Sequence, residues 1–177
     1  MKHFFKTTLV LAVITASAIT LSSFINKKKV AKTSATAYTI TLESKILTGS
    51  NTEFTWSVTN TNPGNGDNET LQDVSHWDVP LTQVAETALI AASTSRDGVN
   101  FTNSSTVIER DPSIRFCTTT DVLKFDVGTS GSTPTYYRAT FSSDFVINPY
   151  ATSWIKTGGG REGCNQYFFS GLGSKID

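Results

Sequence analysis

Apolar and polar side chains alternate along most of the chain beyond residue 37. Phe54, Trp56 and Val58 alternate with Thr55, Ser57 and Thr59, the period of a strand with one buried and one wet face. Tyr38, Ile40 and Leu42 alternate with Thr39, Thr41 and Glu43, which predicts a first strand over 37–47. Residues 60–68 are Asn, Thr, Pro, Gly and Asp throughout, which is turn chemistry. A strand over 71–79 follows, carrying Trp77 and closed by Pro80, which has no N–H for a ladder. Residues 81–92 depart from this pattern. Leu81, Val84, Ala85, Ala88, Leu89 and Ala92 fit helical spacing and predict a helical turn over 82–87 before a strand over 89–95. Arg96-Asp97-Gly98 predicts a hairpin with its return strand starting over 99–101.

The remaining strands are predicted over 107–109, 122–127, 136–141, 145–147, 151–156 and 164–170, with Asn148-Pro149 stopping the one before it. Tyr137, Ala139 and Phe141 fall opposite Tyr136, Arg138 and Thr140. The pattern assigns Phe54, Trp56, Val58, Trp77, Leu123, Phe125 and Phe141 to the core. Short strands with turns between them and no internal repeat predict an all-β fold. We expect a single antiparallel Ig-like β-sandwich with Greek-key connections over 37–173.

The N-terminus has a different pattern. Lys2 and Lys6 precede an apolar run over 9–19, with small residues at Ala16-Ser17-Ala18 and Ser22-Ser23. These features predict a secretory signal helix over 1–25 and a flexible lead-in over 26–36. Thr15, Thr20, Ser22 and Ser23 weaken the alternative of a membrane anchor. The expected location is extracellular, with cell-surface attachment left open and no membrane association after cleavage. The 177 residues have zero formal net charge, and without a basic surplus nucleic-acid binding is excluded. Only 17% of residues are charged, against about 25% in typical domains. Hydroxyl and amide side chains fill the wet faces instead. In an exported chain the two cysteines, Cys117 and Cys164, are expected to form a disulfide.

Candidate chemistry is sparse. His76 is the one histidine beyond the signal segment. A Ser-His-Asp triad would have to use it, but on a strand Ser75 points away from it, and no Gly-x-Ser-x-Gly elbow exists. His76 reads as a hydrogen-bonded ring at a sheet rim. Asp78 shares its face, yet two ligands are too few for a metal, so no metal, cofactor or catalytic residue is expected. Asp73, Asp78, Glu109, Asp121 and Asp126 read as solvated carboxylates. The oxygen-rich stretch from Asn65 through Asp67 to Glu69 reads as a turn before it reads as a calcium loop. Tyr136, Tyr137, Tyr150, Trp154, Tyr167, Phe168 and Phe169 crowd the C-terminal third. Exposed aromatics on a sandwich suit sugars or proteins. His76, Asp78, Tyr136 and Trp154 are the candidate binding residues.

Several segments carry a resemblance: Trp56-Ser-Val58-Thr-Asn60, Val74-Ser-His-Trp-Asp78, Leu123-Lys-Phe-Asp-Val-Gly128, Pro134-Thr-Tyr-Tyr-Arg138 and Gly163-Cys164. Together they span most of residues 50–170. The chain resembles small secreted bacterial β-sandwich proteins without assigned activity, and its first segment is similar to the opening strands of Ig-like repeat modules of bacterial surface proteins. The resemblance implies an exported Ig-like module and brings no catalytic residues. The expectation is a secreted, non-enzymatic module for extracellular binding, adhesion or matrix structure, with a protein or glycan partner. The alternative is a small secreted hydrolase or a carbohydrate-binding accessory domain.

Overall fold

The alternating segments pair into two antiparallel sheets. The computed structural model describes residues 38–67, 70–104, 107–158 and 165–176. The expected signal peptide and lead-in lie outside the described residues. In chain order the elements are β1 (Tyr38–Thr48), β2 (Asn51–Asn60), β3 (Val74–Pro80), α1 (Gln83–Ala88), β4 (Leu89–Ser95), β5 (Thr102–Asn103), β6 (Val107–Glu109), β7 (Val122–Phe125), β8 (Thr135–Phe141), β9 (Phe145–Thr157) and β10 (Asn165–Lys175). The first sheet has the order β1-β2-β8-β4-β5 and the second β10-β9-β3-β7-β6.

Aromatic contacts join the sheets. Trp56 on β2 meets Trp77 on β3 edge-on at 5.8 Å between ring centroids. Tyr137 on β8 meets Trp77 and Phe125, each at 5.1 Å. These separations suit edge-to-face and tilted pairs, which add to the gain from burial. The Trp56 indole donates to the Ser170 carbonyl, and the Tyr137 hydroxyl donates to the Val127 carbonyl. The expected core residues are all at most 1% exposed. Among the described residues no helix is long and apolar enough to cross a membrane.

Local chemistry explains the departures from strict alternation. Thr82 caps α1, its hydroxyl accepting from the Ala85 N–H. The return strand after Gly98 starts at Thr102, later than the sequence suggests. The intervening chain is wrapped around the Asp97 carboxylate, which accepts from the Val99 and Asn100 backbone and the Asn100 amide. Asn148-Pro149 does not stop its strand. β9 runs through Pro149, where the pairing with β10 shifts register between Phe169 and Gly171. β3 pairs only with the far end of β9, from Trp154 to Thr157. Pro149 therefore lies beyond the β3 ladder, where its missing N–H costs no β3 bond.

A second shift of register, between Val74 and His76, leaves Ser75 as a bulge. It puts both Val74 and Trp77 in the inner core, three positions apart. Gly128 lies against this bulge, and a Cβ there would collide with the Val74 carbonyl oxygen.

Candidate functional site

The second sheet also has a covered outer face. Beyond the bulge, β3 turns Trp77 and Val79 inward and His76 and Asp78 outward. In register with Asp78 stand Lys124 on β7 and Trp154 on β9. The segment between β6 and β7 folds over these side chains. Its chain is held by turn bonds, Ile114 N–H to the Asp111 carbonyl and Cys117 N–H to the Ile114 carbonyl. Ile114 thereby packs with Val122, Trp154 and Cys117 in a small cluster separate from the main core.

Beside that cluster three titratable side chains converge. His76 Nε2 lies 2.9 Å from Asp111 Oδ2 and 3.4 Å from Asp78 Oδ2. The Ser113 hydroxyl is 3.1 Å from the same nitrogen, and the Ser75 hydroxyl is 3.3 Å from Nδ1. All three titratable residues are buried, Asp78 completely. Asp111 Oδ1 accepts from the Ser113 backbone N–H at 2.7 Å. Neither oxygen of Asp78 accepts a hydrogen bond. Lys124 Nζ lies within 3.2 Å of Glu109 and Asp126 and 3.6 Å from Asp111.

The environments of the two aspartates differ. Burial pushes the Asp78 carboxyl above its ordinary range, and the contact with His76 only partly offsets this. Burial acts in the same direction on Asp111, but there the Ser113 N–H and hydroxyl, with His76 and Lys124, outweigh it and hold the carboxyl low. Lys124 is desolvated too, yet its bonds to Asp126 and Glu109 raise it.

Of the four candidate binding residues, His76, Asp78 and Trp154 share this outer face, and Trp154 is a buried part of its small cluster. Tyr136 lies on the first sheet, half-buried, with its ring against Gly98. Cys117 lies at the cluster; Cys164 lies outside the described residues, and so does the pairing expected of it. In the oxygen-rich loop, Asn65 and Asp67 bond to each other, while residues 68 and 69 lie outside the described set. Sequence reasoning missed Asp111, Ser113 and Lys124. Asp111-Pro112 reads only as the end of a strand, and no spacing rule brings a loop residue onto a strand thirty-odd positions earlier.

The exposed aromatics are others of the C-terminal group. Tyr150 on β9 is 77% exposed and Phe168 on β10 71%. Phe168 stands opposite Thr152 and Gln166 opposite Trp154, so alternation along β9 places Tyr150 on the same outer face as Phe168. Val146 and Ile147, also exposed, lie nearby on β9. A polar cleft of about 610 Å³ opens elsewhere, lined by Arg96, Asp97, Asn100, Thr102, Asn103 and Asp126 among others.

Comparison with protein families, with curated proteins and with solved structures finds no match.

Proposed function

We propose that the chain is an exported Ig-like sandwich, with Greek-key connections, that binds an extracellular ligand through the outer face of β9 and β10. The observation that carries this reading is the exposure of Tyr150 and Phe168 on one face of adjacent strands. An aromatic ring in water is a costly thing to leave uncovered, and contiguous apolar patches mark interaction surfaces. Sugar rings stack on such platforms through their C–H faces, so a glycan is the first ligand class and a protein surface the second. No turnover is assigned to the module, and a disulfide between Cys117 and Cys164 ties the loop over the outer face to the β9–β10 hairpin in the extracellular medium.

A glycan array probed with the mature protein tests the reading. Binding is expected, and it should fall at least about tenfold in Tyr150→Ala with Phe168→Ala while melting stays within about 1 kcal/mol of wild type, as for other exposed sites. Binding that survives the double substitution would remove this face from consideration. The polar cleft favours a second reading, a carbohydrate-binding accessory or hydrolytic site. It predicts instead that Arg96→Ala and Asn100→Ala abolish binding.

A further inference from the structure

The cluster around His76 holds more negative charge than its protein partners balance. Glu109, Asp111 and Asp126 surround the single Lys124 ammonium, and Asp78 stands opposite Lys124 in the β3–β7 ladder. Lys156 stands opposite His76 in the β3–β9 ladder, so four carboxylates face two lysines. Even a protonated imidazole would leave a surplus of one negative charge. Asp78 is the extreme member, fully buried with neither oxygen accepting a hydrogen bond. A fold rarely keeps a buried carboxylate in that condition, because it has lost water and gained only the 3.4 Å contact with His76.

We propose that His76 Nε2, Asp78 Oδ2 and Asp111 Oδ2 bind one divalent transition-metal cation, with Zn²⁺ the best fit. The three residues offer ligand atoms that all lie within 4.8 Å of one another. Zinc bonds to nitrogen and oxygen of about 2.0–2.2 Å in a tetrahedron set neighbouring donors roughly 3.3–3.5 Å apart. The separations from Nε2, 2.9 and 3.4 Å, reach that spacing with shifts of a few tenths of an ångström.

The surrounding bonds are those a metal site needs. With the ring proton on Nδ1, His76 donates to the Ser75 hydroxyl and keeps the Nε2 lone pair for the cation. Asp111 is fixed through Oδ1 by the Ser113 N–H, which frees Oδ2. Such outer bonds orient ligands in known metal sites. The Ser113 hydroxyl or a water completes the tetrahedron. An imidazole among few oxygens suits Zn²⁺ and disfavours Ca²⁺, which takes six to eight oxygens. With its ligands buried, the ion is structural and pins the loop carrying Asp111 to β3. This inference is independent of the aromatic face.

The test is thermal melting and calorimetric titration of chelator-treated mature protein with Zn²⁺ alone, with Ca²⁺ in parallel. One Zn²⁺ per chain should bind and raise the melting temperature by roughly 5–10 °C at a hundredfold excess over the dissociation constant. Asp78→Asn and Asp111→Asn should weaken Zn²⁺ binding at least about a hundredfold, beyond the usual cost of an outer bond. Asp78→Asn in chelator should melt no lower than wild type, since it removes a buried charge that no hydrogen bond satisfies. His76→Gln should likewise lose Zn²⁺, and if it fails to fold, the two Asn variants decide. Absence of a Zn²⁺ effect on wild type would overturn the proposal. So would equal Zn²⁺ binding by all variants, a response to Ca²⁺ alone, or a loss of stability in metal-free Asp78→Asn, which would mark an ion-pair network complete without metal.

Discussion

The inner and outer faces of the second sheet are built from the same strands and solved differently. Trp77 and Phe125 face inward and meet Tyr137 and Trp56 from the other sheet. His76, Asp78 and Lys124 occupy the intervening positions of the same two strands and face a loop. The inner face is sealed by aromatic area. The outer face is sealed by a few apolar contacts around Ile114, Val122 and Trp154, with charge set among them. Covering a sheet does not make its two sides equivalent: the inner one is stabilised by burial, and the outer one depends on how well its charges are matched.

The largest test of this contrast is a pair of truncations. Trp77→Ala should cost about 3–5 kcal/mol, the usual range for emptying a large core site. Trp154→Ala should cost roughly half as much, because a loop can collapse onto the space it leaves. Urea unfolding measures both, and equal costs would mean that the outer cluster is a second full core. Next comes the test of the proposed Cys117–Cys164 disulfide. If it forms, Cys117→Ser should lower stability by up to about 4 kcal/mol, the chain-entropy limit for a loop of this length. Reductant should then destabilise wild type by a similar amount and leave the variant unchanged; no effect of either removes the disulfide.

Gly128→Ala follows at about 2–3 kcal/mol, an overpacking cost, since the new methyl collides with the Val74 carbonyl. Because that carbonyl belongs to the bulge that turns His76 outward, the His76 ring resonances should shift in the NMR spectrum. A mild variant with unmoved resonances would show that the bulge does not set the ring.

The smallest effect sharpens the contrast between two carboxylates. Asp78 is buried and accepts nothing, whereas Asp97 is solvated and its lone pairs are used by Asn100, Ser95 and Val99. Those bonds, first the one from the Asn100 N–H, hold the Asp97 carboxyl well below its ordinary range. With a folded pKa below the unfolded one, its contribution is full above about pH 4 and is lost as pH falls through the folded value. Asp97→Asn should therefore lower the melting temperature modestly at neutral pH and converge with wild type as pH falls below about 4, which flattens the acid limb. An identical acid limb would mean that the loop bonds do not outlast the hairpin.

The inner face was legible because period two is a local property. Phe54, Trp56, Val58 and Trp77 announce their burial within a window of seven residues. The outer face was legible only in part. His76 and Asp78 were visible as a pair on one side of a strand, while Asp111 reaches them from a turn whose path depends on Ile114 finding Trp154. No short-range pattern encodes that meeting. Pro149 misled for a related reason: a proline stops a strand only where its N–H is wanted, and the strand next door, which decides this, lies far away in sequence.

The segment between β6 and β7 has a kinetic consequence. It joins no ladder, so it can lift while both sheets stay paired, and amides beneath it should exchange with solvent at a lower free energy than those of β2 or β8. A cation reaching the fully buried Asp78 below must wait for that opening. Uptake of a cation there would become independent of its concentration once the cation is abundant, at a ceiling equal to the opening rate. The outer face would then keep time by a local motion, while the sandwich beneath it unfolds far more rarely.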